Sequence, residues 1–214
     1  MDAERDAHEI ARAVERQREL WRRNAPRYDR QMQFWEGKLF GDARIWICSR
    51  ASGDVLEVAA GTCLNLRFYP PDARLTCVDL SPEMLDIGRE RADRLGRAAT
   101  IQEGDAHDLA FADSSFDSVV CTFSLCNIPD QRRAIAEMHR VLRPDGLLLL
   151  ADHVVSTNRV ITVLQRGLER LSLRFAGDHL TRRPYPLVVE NGFVIQDHER
   201  YRAGIVERLV ALKA

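Results

Sequence analysis

The sequence predicts an α/β fold: a doubly wound, mostly parallel seven-stranded sheet with an antiparallel terminal hairpin and a helical cap. Short apolar strands alternate with helical segments between residues 54 and 152, the order that builds a parallel sheet with helices on both faces. A strand at 54–59 also enters a turn of small residues, and an acid, Asp79, closes the next strand. Parallel sheets form nucleoside sites in this way.

The first fifty residues are predicted to be helical. In the charged segment 6–23, Ile10, Val14 and Trp21 fall on one helical stripe, and a second helix is predicted at 41–50. An aromatic-rich segment at 27–35 lies between them. The predicted organisation is an N-terminal lid at 1–50 followed by a sheet domain at 51–214.

The parallel strands are predicted at about 54–59, 74–79, 98–103, 115–122 and 145–152. Helices are predicted between them: a short one from Leu64, one after the Ser-Pro-Glu sequence at 81–83, and one after Pro-Asp at 129–130. The Arg-Pro-Asp-Gly sequence at 143–146 has residues typical of turns and is expected to end the last helix.

The C-terminal part predicts a cap at about 156–190 and then a hairpin. We expect the apolar stripe of the cap to face inward, either as core or as the wall of a ligand pocket. The stripe consists of Ile161, Leu164, Leu168, Leu171 and Phe175. Segments 192–195 and 204–212 predict two strands that form an antiparallel hairpin at the sheet edge.

Charge and cysteine content exclude several classes of function. The 31 basic and 32 acidic residues nearly cancel, so we expect no nucleic-acid partner. The five cysteines occur singly, as in reduced intracellular proteins, and we expect no metal site. A charged N-terminal segment and the lack of a long apolar run predict a cytoplasmic protein with no transmembrane segment. A homodimer is compatible with these features.

The turn at 59–63 and Asp79 predict a nucleoside ligand. Small side chains let backbone N–H groups approach a ligand, and a strand-end carboxylate can accept both ribose hydroxyls. A dinucleotide site needs G-x-G-x-x-G, whereas this turn keeps only Gly61 and has Glu57 just ahead of it. A carboxylate there repels pyrophosphate and suits the ammonium and sulfonium groups of S-adenosylmethionine. NAD is the weaker alternative.

Five segments resemble, in order and spacing, the motifs of class I S-adenosylmethionine-dependent methyltransferases. They are LEVAAGT at 56–62, VDLSPEML at 78–85, GDA at 104–106, FDSVV at 116–120 and VLRPDG at 141–146. Within that family the chain is similar to the ubiquinone/menaquinone-type branch. The resemblance implies a Rossmann-like fold, S-adenosylmethionine as methyl donor with S-adenosylhomocysteine as product, and a small-molecule methyl acceptor.

The resemblance also implies roles for individual residues. Asp79 would hold the ribose and Leu80 would pack on the adenine, while Asp105 would accept from the adenine amino group and Ala106 would offer a backbone N–H. The methionine end would be lined or closed by residues from the turn, the fourth strand and the lid: Ala59, Gly61, Thr62, Thr122, Phe123 and Tyr28.

A narrower likeness, over about 54–195, is to animal methyltransferase-like proteins that methylate small thiols. It depends on NLRFYPP at 65–71, VCTFSLC at 120–126, DHV at 152–154 and GDHLTR at 177–182, and it adds Asn65 to the expected cofactor contacts. Those relatives have an apolar N-terminal anchor where this chain has a charged helix. Ala59, Cys63 and Asp145 stand where the wider family usually has glycine.

Methyl transfer is an in-line displacement that needs alignment, and it needs a base only when the nucleophile carries a proton. His153, just past the fifth strand, is the predicted base or substrate-orienting residue, and Asp152 is predicted to orient it. The residues predicted to contact the acceptor are Cys126, Asn127, His179 and Arg182.

The leading prediction for the reaction is S-methylation of a small thiol, because a thiol with a reference pKa of about 8.5 needs little help to ionise. The alternatives are N-methylation of an amine or phospholipid headgroup and O- or C-methylation of a quinone or natural product. A non-catalytic sensor or scaffold that binds the cofactor also stays open, because side chains at Ala59 and Cys63 crowd the turn.

Overall fold

A seven-stranded sheet in the order β3-β2-β1-β4-β5-β7-β6 forms the centre of the molecule. The computed structural model describes residues 2–175 and 177–214, with backbone alone for residues 2–7 and Phe175. Strands β1 to β5 are parallel, β7 is antiparallel to β5, and β6 is antiparallel to β7. The strands are β1 Asp54–Val58, β2 Arg74–Asp79, β3 Ala99–Glu103, β4 Phe116–Thr122, β5 Leu142–His153, β6 Phe193–Tyr201 and β7 Val206–Lys213. The predicted fold class and terminal hairpin are confirmed.

The strand order places a switch point beside β1. The chain moves from β1 outward to β2 and β3, then returns to the other side of β1 for β4 and β5. The interior strands are apolar on both faces: Val55, Leu56 and Val58 are fully or almost fully buried, as expected where helices cover both sides of a parallel sheet. In such sheets a crevice opens beyond the carboxyl ends of the strands at the switch point.

The helices follow the capping signals of the sequence. Ser81 Oγ accepts a hydrogen bond from Met84 N at 3.4 Å to start α3, and Asp130 accepts from Arg133 N at 3.0 Å to start α4. The helices are α1 Asp2–Trp35, α2 Ala43–Cys48, α3 Pro82–Leu95, α4 Gln131–Val141, α5 Arg159–Phe175 and α6 Tyr185–Glu190, with a π-helical turn at Glu36–Phe40 and a 3-10 helix at Leu64–Phe68.

The N-terminal helix is longer than predicted. Helix α1 continues through Pro26 to Trp35, although a proline inside a helix costs about 3 kcal/mol. Beyond the proline, Asp29 accepts a hydrogen bond from Thr62 Oγ1 at 2.6 Å and pairs with Arg91 of α3. These tertiary contacts hold the second half of α1 against the sheet domain. The local sequence of α1 does not predict them.

Helix α5 forms where the cap was predicted, but its orientation is not the expected one. Leu164, Leu168 and Leu171 are 59%, 55% and 56% exposed. The inward face instead carries Gln165, which is buried. The expectation that the stripe packs inward is therefore wrong for these leucines, and the side chain of Phe175 lies outside the described residues. Among the residues that the structure describes, no helix has the length and apolar character needed to cross a bilayer.

Candidate active site

A cavity of about 470 Å³ lies beyond the carboxyl ends of the parallel strands, within the size range of small-ligand sites. The sheet side is formed by Ala59, Gly61, Asp79, Leu80, Phe123 and His153. Helix α1 closes the opposite side with Val14, Gln17, Trp21, Tyr28, Met32 and Trp35. The structure thus brings together the strand ends and the aromatic part of the N-terminal helix.

The turn after β1 has a left-handed backbone at every second residue. Ala59, Gly61 and Cys63 have φ of 53°, 55° and 55°. Only glycine adopts such angles without a penalty of roughly 1 to 2 kcal/mol. The two positions where the family's glycine is replaced therefore keep the backbone that glycine would give.

Asp79 connects this turn to the end of β2. Its Oδ2 accepts from Gly61 N at 2.7 Å and its Oδ1 accepts from Ser81 N at 2.9 Å. Burial raises the pKa of Asp79, and the backbone N–H donors partly oppose that shift. A carboxylate oxygen accepts more than one hydrogen bond, so this side chain, which lines the cavity, can still receive ribose hydroxyls.

Asp105 and His107 form a fixed pair on the wall after β3. Asp105 Oδ1 accepts from His107 N at 2.9 Å and lies 2.5 Å from His107 Nδ1. His107 Nε2 accepts from Asp130 N at 3.1 Å, which assigns the ring proton to Nδ1. Burial raises the pKa of Asp105, but the bonds from His107 outweigh it and the net pKa is lowered. Asp105 therefore faces the cavity as a carboxylate, beside Ala106.

Four predicted cofactor contacts do not line the cavity. Glu57 Oε1 accepts from Asn65 Nδ2 at 2.8 Å and Glu57 Oε2 accepts from Tyr69 OH at 2.8 Å. Asn65 also donates to Thr122 Oγ1 at 2.9 Å, and Thr62 donates to the Asp29 carboxylate of α1. The side chains of Glu57, Asn65, Thr122 and Thr62 are thus buried behind the cavity wall and bonded to protein. The prediction that Glu57 faces the ligand needs this correction.

Arg44 of α2 completes this buried network, and the sequence analysis missed it. Its Nη1 donates to Asn65 Oδ1 and to Thr122 Oγ1, both at 2.9 Å, and its Nε donates to Glu36 at 2.5 Å. Burial raises the pKa of Glu57 to about 7, although Tyr69, Arg44 and Asn65 oppose the rise. The available signal was a single arginine inside the apolar run 43–48, where an inward-facing charge needs a buried partner.

The charged residues among the described cavity lining are all acidic. They are Asp79, Asp105 and Asp178, and no lysine or arginine is among the described lining residues. A pyrophosphate would meet carboxylates without a cation to offset them, whereas a sulfonium and an ammonium are attracted. Two buried oxygens at this cavity, Gln17 Oε1 and Asn127 Oδ1, have no hydrogen-bond partner among the described residues and can accept from ligand N–H groups. The site therefore fits S-adenosylmethionine.

His153 lies at the other end of the cavity, where β5 ends. Its ring lies 6.5 Å from the Phe40 ring, centroid to centroid and nearly parallel, and no described residue forms a hydrogen bond with its ring nitrogens. Burial lowers the pKa of His153 to about 4, so the imidazole is neutral at pH 7. A neutral imidazole that is open to a ligand can accept a proton.

Asp152 does not orient the His153 ring. Its Oδ2 accepts from Cys126 N at 2.9 Å and its Oδ1 accepts from His153 N at 2.8 Å, so it holds backbone groups in place. Burial raises the pKa of Asp152 to about 7, against the opposing bonds from Cys126 and His153. The prediction that this carboxylate orients the imidazole is therefore wrong.

Of the four residues predicted to contact the acceptor, one lines the cavity and three do not. Asn127 lines it. Cys126 is buried beside it, His179 Nδ1 lies 3.1 Å from Glu169 Oε1, and Arg182 Nη1 donates to Ile128 O at 2.6 Å. These bonds tie the segment after α5 to the loop after β4. The residue that sequence reasoning missed is Asp178, next to His179, which does line the cavity.

One group of side chains has the spacing of a metal site. Potential ligand atoms of Cys126, Asp152 and His153 lie within 4.8 Å of one another. Both Asp152 oxygens already accept backbone bonds, and burial raises the pKa of the Cys126 thiol well above its usual value. A metal ligand needs the thiolate form, so this environment does not favour a metal.

Comparison with known proteins identifies the family of the chain. A family model described as a methyltransferase domain matches residues 56–150. Phosphatidylethanolamine N-methyltransferase of Cereibacter sphaeroides is 32% identical over 146 residues, which are 64% of this chain and 72% of that protein. Thiol S-methyltransferase TMT1A of Homo sapiens is 34% identical over 134 residues, which are 60% of this chain and 54% of that enzyme. The match thus spans about half the length of the human enzyme.

The fold has solved counterparts. A methyltransferase from Thermotoga maritima, described as S-adenosylmethionine-dependent, has a TM-score of 0.71 and 18% identity, covering 92% of this chain and 99% of that one. Fold and site together define a Rossmann-like protein that binds a cationic nucleoside. The chain belongs to the class I S-adenosylmethionine-dependent methyltransferases, and S-adenosylmethionine is its cofactor.

Proposed function

We propose that this enzyme methylates the sulfur of a small, apolar thiol. The observation that carries the proposal is His153, a neutral imidazole whose ring nitrogens bond to no described residue. It lies at the end of a cavity whose other walls are largely apolar. Trp21, Trp35, Leu39 and Phe40 form part of those walls. Such surroundings favour binding of the neutral thiol and leave its ionisation to the base.

His153 would take the thiol proton as sulfur attacks. S-adenosylmethionine supplies the methyl group, leaving as S-adenosylhomocysteine, and the thiol proton passes to a ring nitrogen of His153. Asp79 and Asp105 would hold the nucleoside, and Tyr28 and Phe123 would border the methionine end. The N-terminal lid, α1 with α2, would exclude water over the reacting groups.

A panel of methyl acceptors tests the proposal. Formation of S-adenosylhomocysteine is measured with small alkyl and aryl thiols, with primary and secondary amines, and with phenols and quinols matched for size. The proposal requires the highest kcat/KM among the thiols. Turnover confined to phenols or quinols would contradict it, and tight cofactor binding without turnover on any acceptor would favour a sensor.

N-methylation of an amine is the second candidate, and Asp178 is the observation that favours it. This side chain lines the cavity, and burial raises its pKa to about 6, with a bond from Asn127 opposing the rise. It is therefore mostly a carboxylate at pH 7 and can hold an ammonium group. The ammonium proton would pass to Asp178 or to His153, and the neutral amine nitrogen would then attack the methyl group. The relative from Cereibacter sphaeroides is named as an N-methyltransferase. Preference for amines in the same panel would select this function.

A further inference from the structure

Helix α5 presents an apolar face to solvent. The exposed fractions are 70% for Val160, 66% for Val163, 59% for Leu164, 55% for Leu168 and 56% for Leu171. Single exposed apolar residues are ordinary on protein surfaces, whereas several on one face of one helix mark an interaction site. This face is therefore a candidate for docking.

Polar contacts on the opposite side fix this orientation. Gln165 accepts from Ser156 N at 2.8 Å and donates to Val154 O and Leu180 O, both at 3.0 Å. Turning the leucines inward would expose these groups or leave them buried without partners, which costs free energy for each one.

The next turn of α5 is anchored in the same way. Glu169 accepts from Thr181 Oγ1 at 2.6 Å and pairs with His179. Because Gln165 and Glu169 are four residues apart, they lie on one side of the helix. The apolar face is thus held outward along two turns.

A row of arginines borders the apolar face. Arg159, Arg166 and Arg170 are exposed and form no ion pair with any described residue. Their spacing of seven and then four residues places them on one stripe of the helix. Glu169 is the single acidic residue in the α5 sequence, and its side chain faces inward. The outer surface of the helix therefore combines apolar residues with arginines whose positive charge no acid of α5 neutralises.

The inner side of α5 borders the cavity. Gln165 and Ser172 of α5 line the cavity, and so does Trp35 at the end of α1, whose side chain is also 49% exposed. Phe34 next to it is 57% exposed. Exposed aromatic residues are typical of the boundary between water and lipid.

We propose that α5 docks this enzyme onto an anionic phospholipid surface. The leucines would enter the boundary between headgroups and acyl chains, and the arginines would contact headgroup phosphates. A second copy of the chain is a poorer occupant, since a symmetric contact would bring two arginine rows together without acids from either helix. The docking does not depend on which acceptor is methylated.

Vesicle flotation of the full chain tests the proposal. We expect binding to phosphatidylcholine vesicles that contain phosphatidylglycerol, and little binding to phosphatidylcholine alone. Binding should weaken as salt is raised, because the charges at the surface are screened. Equal binding to both vesicle types, or binding to neither, would overturn the proposal without the use of any variant.

Two variants locate the surface. Arg166→Gln with Arg170→Gln should weaken binding about 25-fold, a factor of about five for each arginine near an anionic surface. Leu168→Glu should abolish detectable binding. These side chains are exposed, so circular dichroism is expected to match the parent chain.

The matched controls are Arg94→Gln and Leu95→Glu at the end of α3, where Leu95 is 47% exposed. They should leave vesicle binding unchanged. Equal losses in the controls would contradict the assignment to α5. A different result would identify a second copy of the chain as the occupant of this face. In that case the parent chain would not bind vesicles, and sedimentation would show a dimer that Leu168→Glu dissociates.

Discussion

His153 is the side chain on which the proposed chemistry depends. Because its pKa is lowered to about 4, it is neutral at every pH above about 5 and can accept a proton from a bound thiol. With the base present, kcat/KM for a thiol should be nearly independent of pH from about 5 up to the thiol pKa near 8.5.

The variant His153→Ala should depend on thiolate from solution. Its kcat/KM should rise about tenfold per pH unit up to the thiol pKa, with a deficit of about 100-fold at pH 6 that shrinks toward pH 9. His8→Ala, on the exposed part of α1, is the matched control. A deficit that is equal at all pH values would argue for positioning of the substrate in place of proton transfer.

Asp178 separates the two candidate reactions. With a pKa of about 6, it is charged at pH 7.5 and opposes a developing thiolate while attracting an ammonium. Asp178→Asn should raise kcat/KM for thiols several-fold, or raise KM for amines about tenfold if an amine is the acceptor. Asp113→Asn, at an exposed acidic residue, is the matched control for the loss of one negative charge. No change with either acceptor class would remove Asp178 from the acceptor site.

Cys63 is accommodated by a glycine on the neighbouring helix. A Cβ built on Gly88 of α3 would lie 2.7 Å from Cys63 Sγ. Gly88→Ala should therefore reduce the free energy of unfolding by about 1 to 3 kcal/mol, the cost of overpacking a core.

The same change in a Cys63→Gly background should cost less, because the clashing sulfur is gone. Denaturant unfolding of the four chains of this cycle measures the coupling. Additive effects of the two substitutions would show that the sulfur is not what excludes a side chain at 88.

At the scale of elements, Asp29 ties α1 to the cofactor turn through Thr62 and to α3 through Arg91. Asp29→Ala should weaken binding of S-adenosylhomocysteine about tenfold, because the segment that carries Tyr28 loses its contacts with the sheet domain. Calorimetry measures this affinity.

Glu19→Ala is the matched control for the Asp29 variant. Glu19 bonds to Arg22 and Arg23 of its own helix, so it does not connect α1 to the sheet domain. An equal loss of affinity in both variants would show that α1 acts through its helical stability alone.

At the scale of the whole molecule, the buried acids set an unusual dependence of stability on pH. Glu57 and Asp152 have pKa values near 7 and Asp178 near 6, all above their unfolded values near 4. Between about pH 4.5 and 7 the folded chain therefore binds more protons than the unfolded chain, and stability falls as pH rises.

The lowered pKa of His153 acts in the opposite direction between about pH 4 and 6.5. The lowered pKa values of His139 and His179 act in the same direction as His153, whereas the raised pKa of Asp79 adds to the effect of the three acids. We expect the free energy of unfolding of the cofactor-free chain to decrease by a few kcal/mol from pH 5 to pH 8. Urea unfolding at several pH values measures it. Stability that rises over this range would show that these acids ionise normally in the folded chain.

The sequence by itself determined the α/β class, the approximate positions of the strands, and the cofactor turn. These features are local: small residues in 59–63, an acid at the end of β2, and capping residues before α3 and α4. Ala59, Cys63 and Asp145 keep positive φ of 53°, 55° and 62°, so the motif's backbone survives replacement of its glycines.

Only the tertiary structure decided which side chains reach the cavity. Glu57 lies one layer behind it because Asn65 and Tyr69, from the segment after β1, bond to its carboxylate. Arg44 of α2 bonds to Asn65 and adds a favourable charge from a distant part of the chain. The leucines of α5 face outward because Gln165 and Glu169 find partners on the inner side. The periodicity of a helix or strand predicts that it has an apolar and a polar face. Which face packs inward depends on the hydrogen-bond partners of its polar groups, and those partners are distant in sequence.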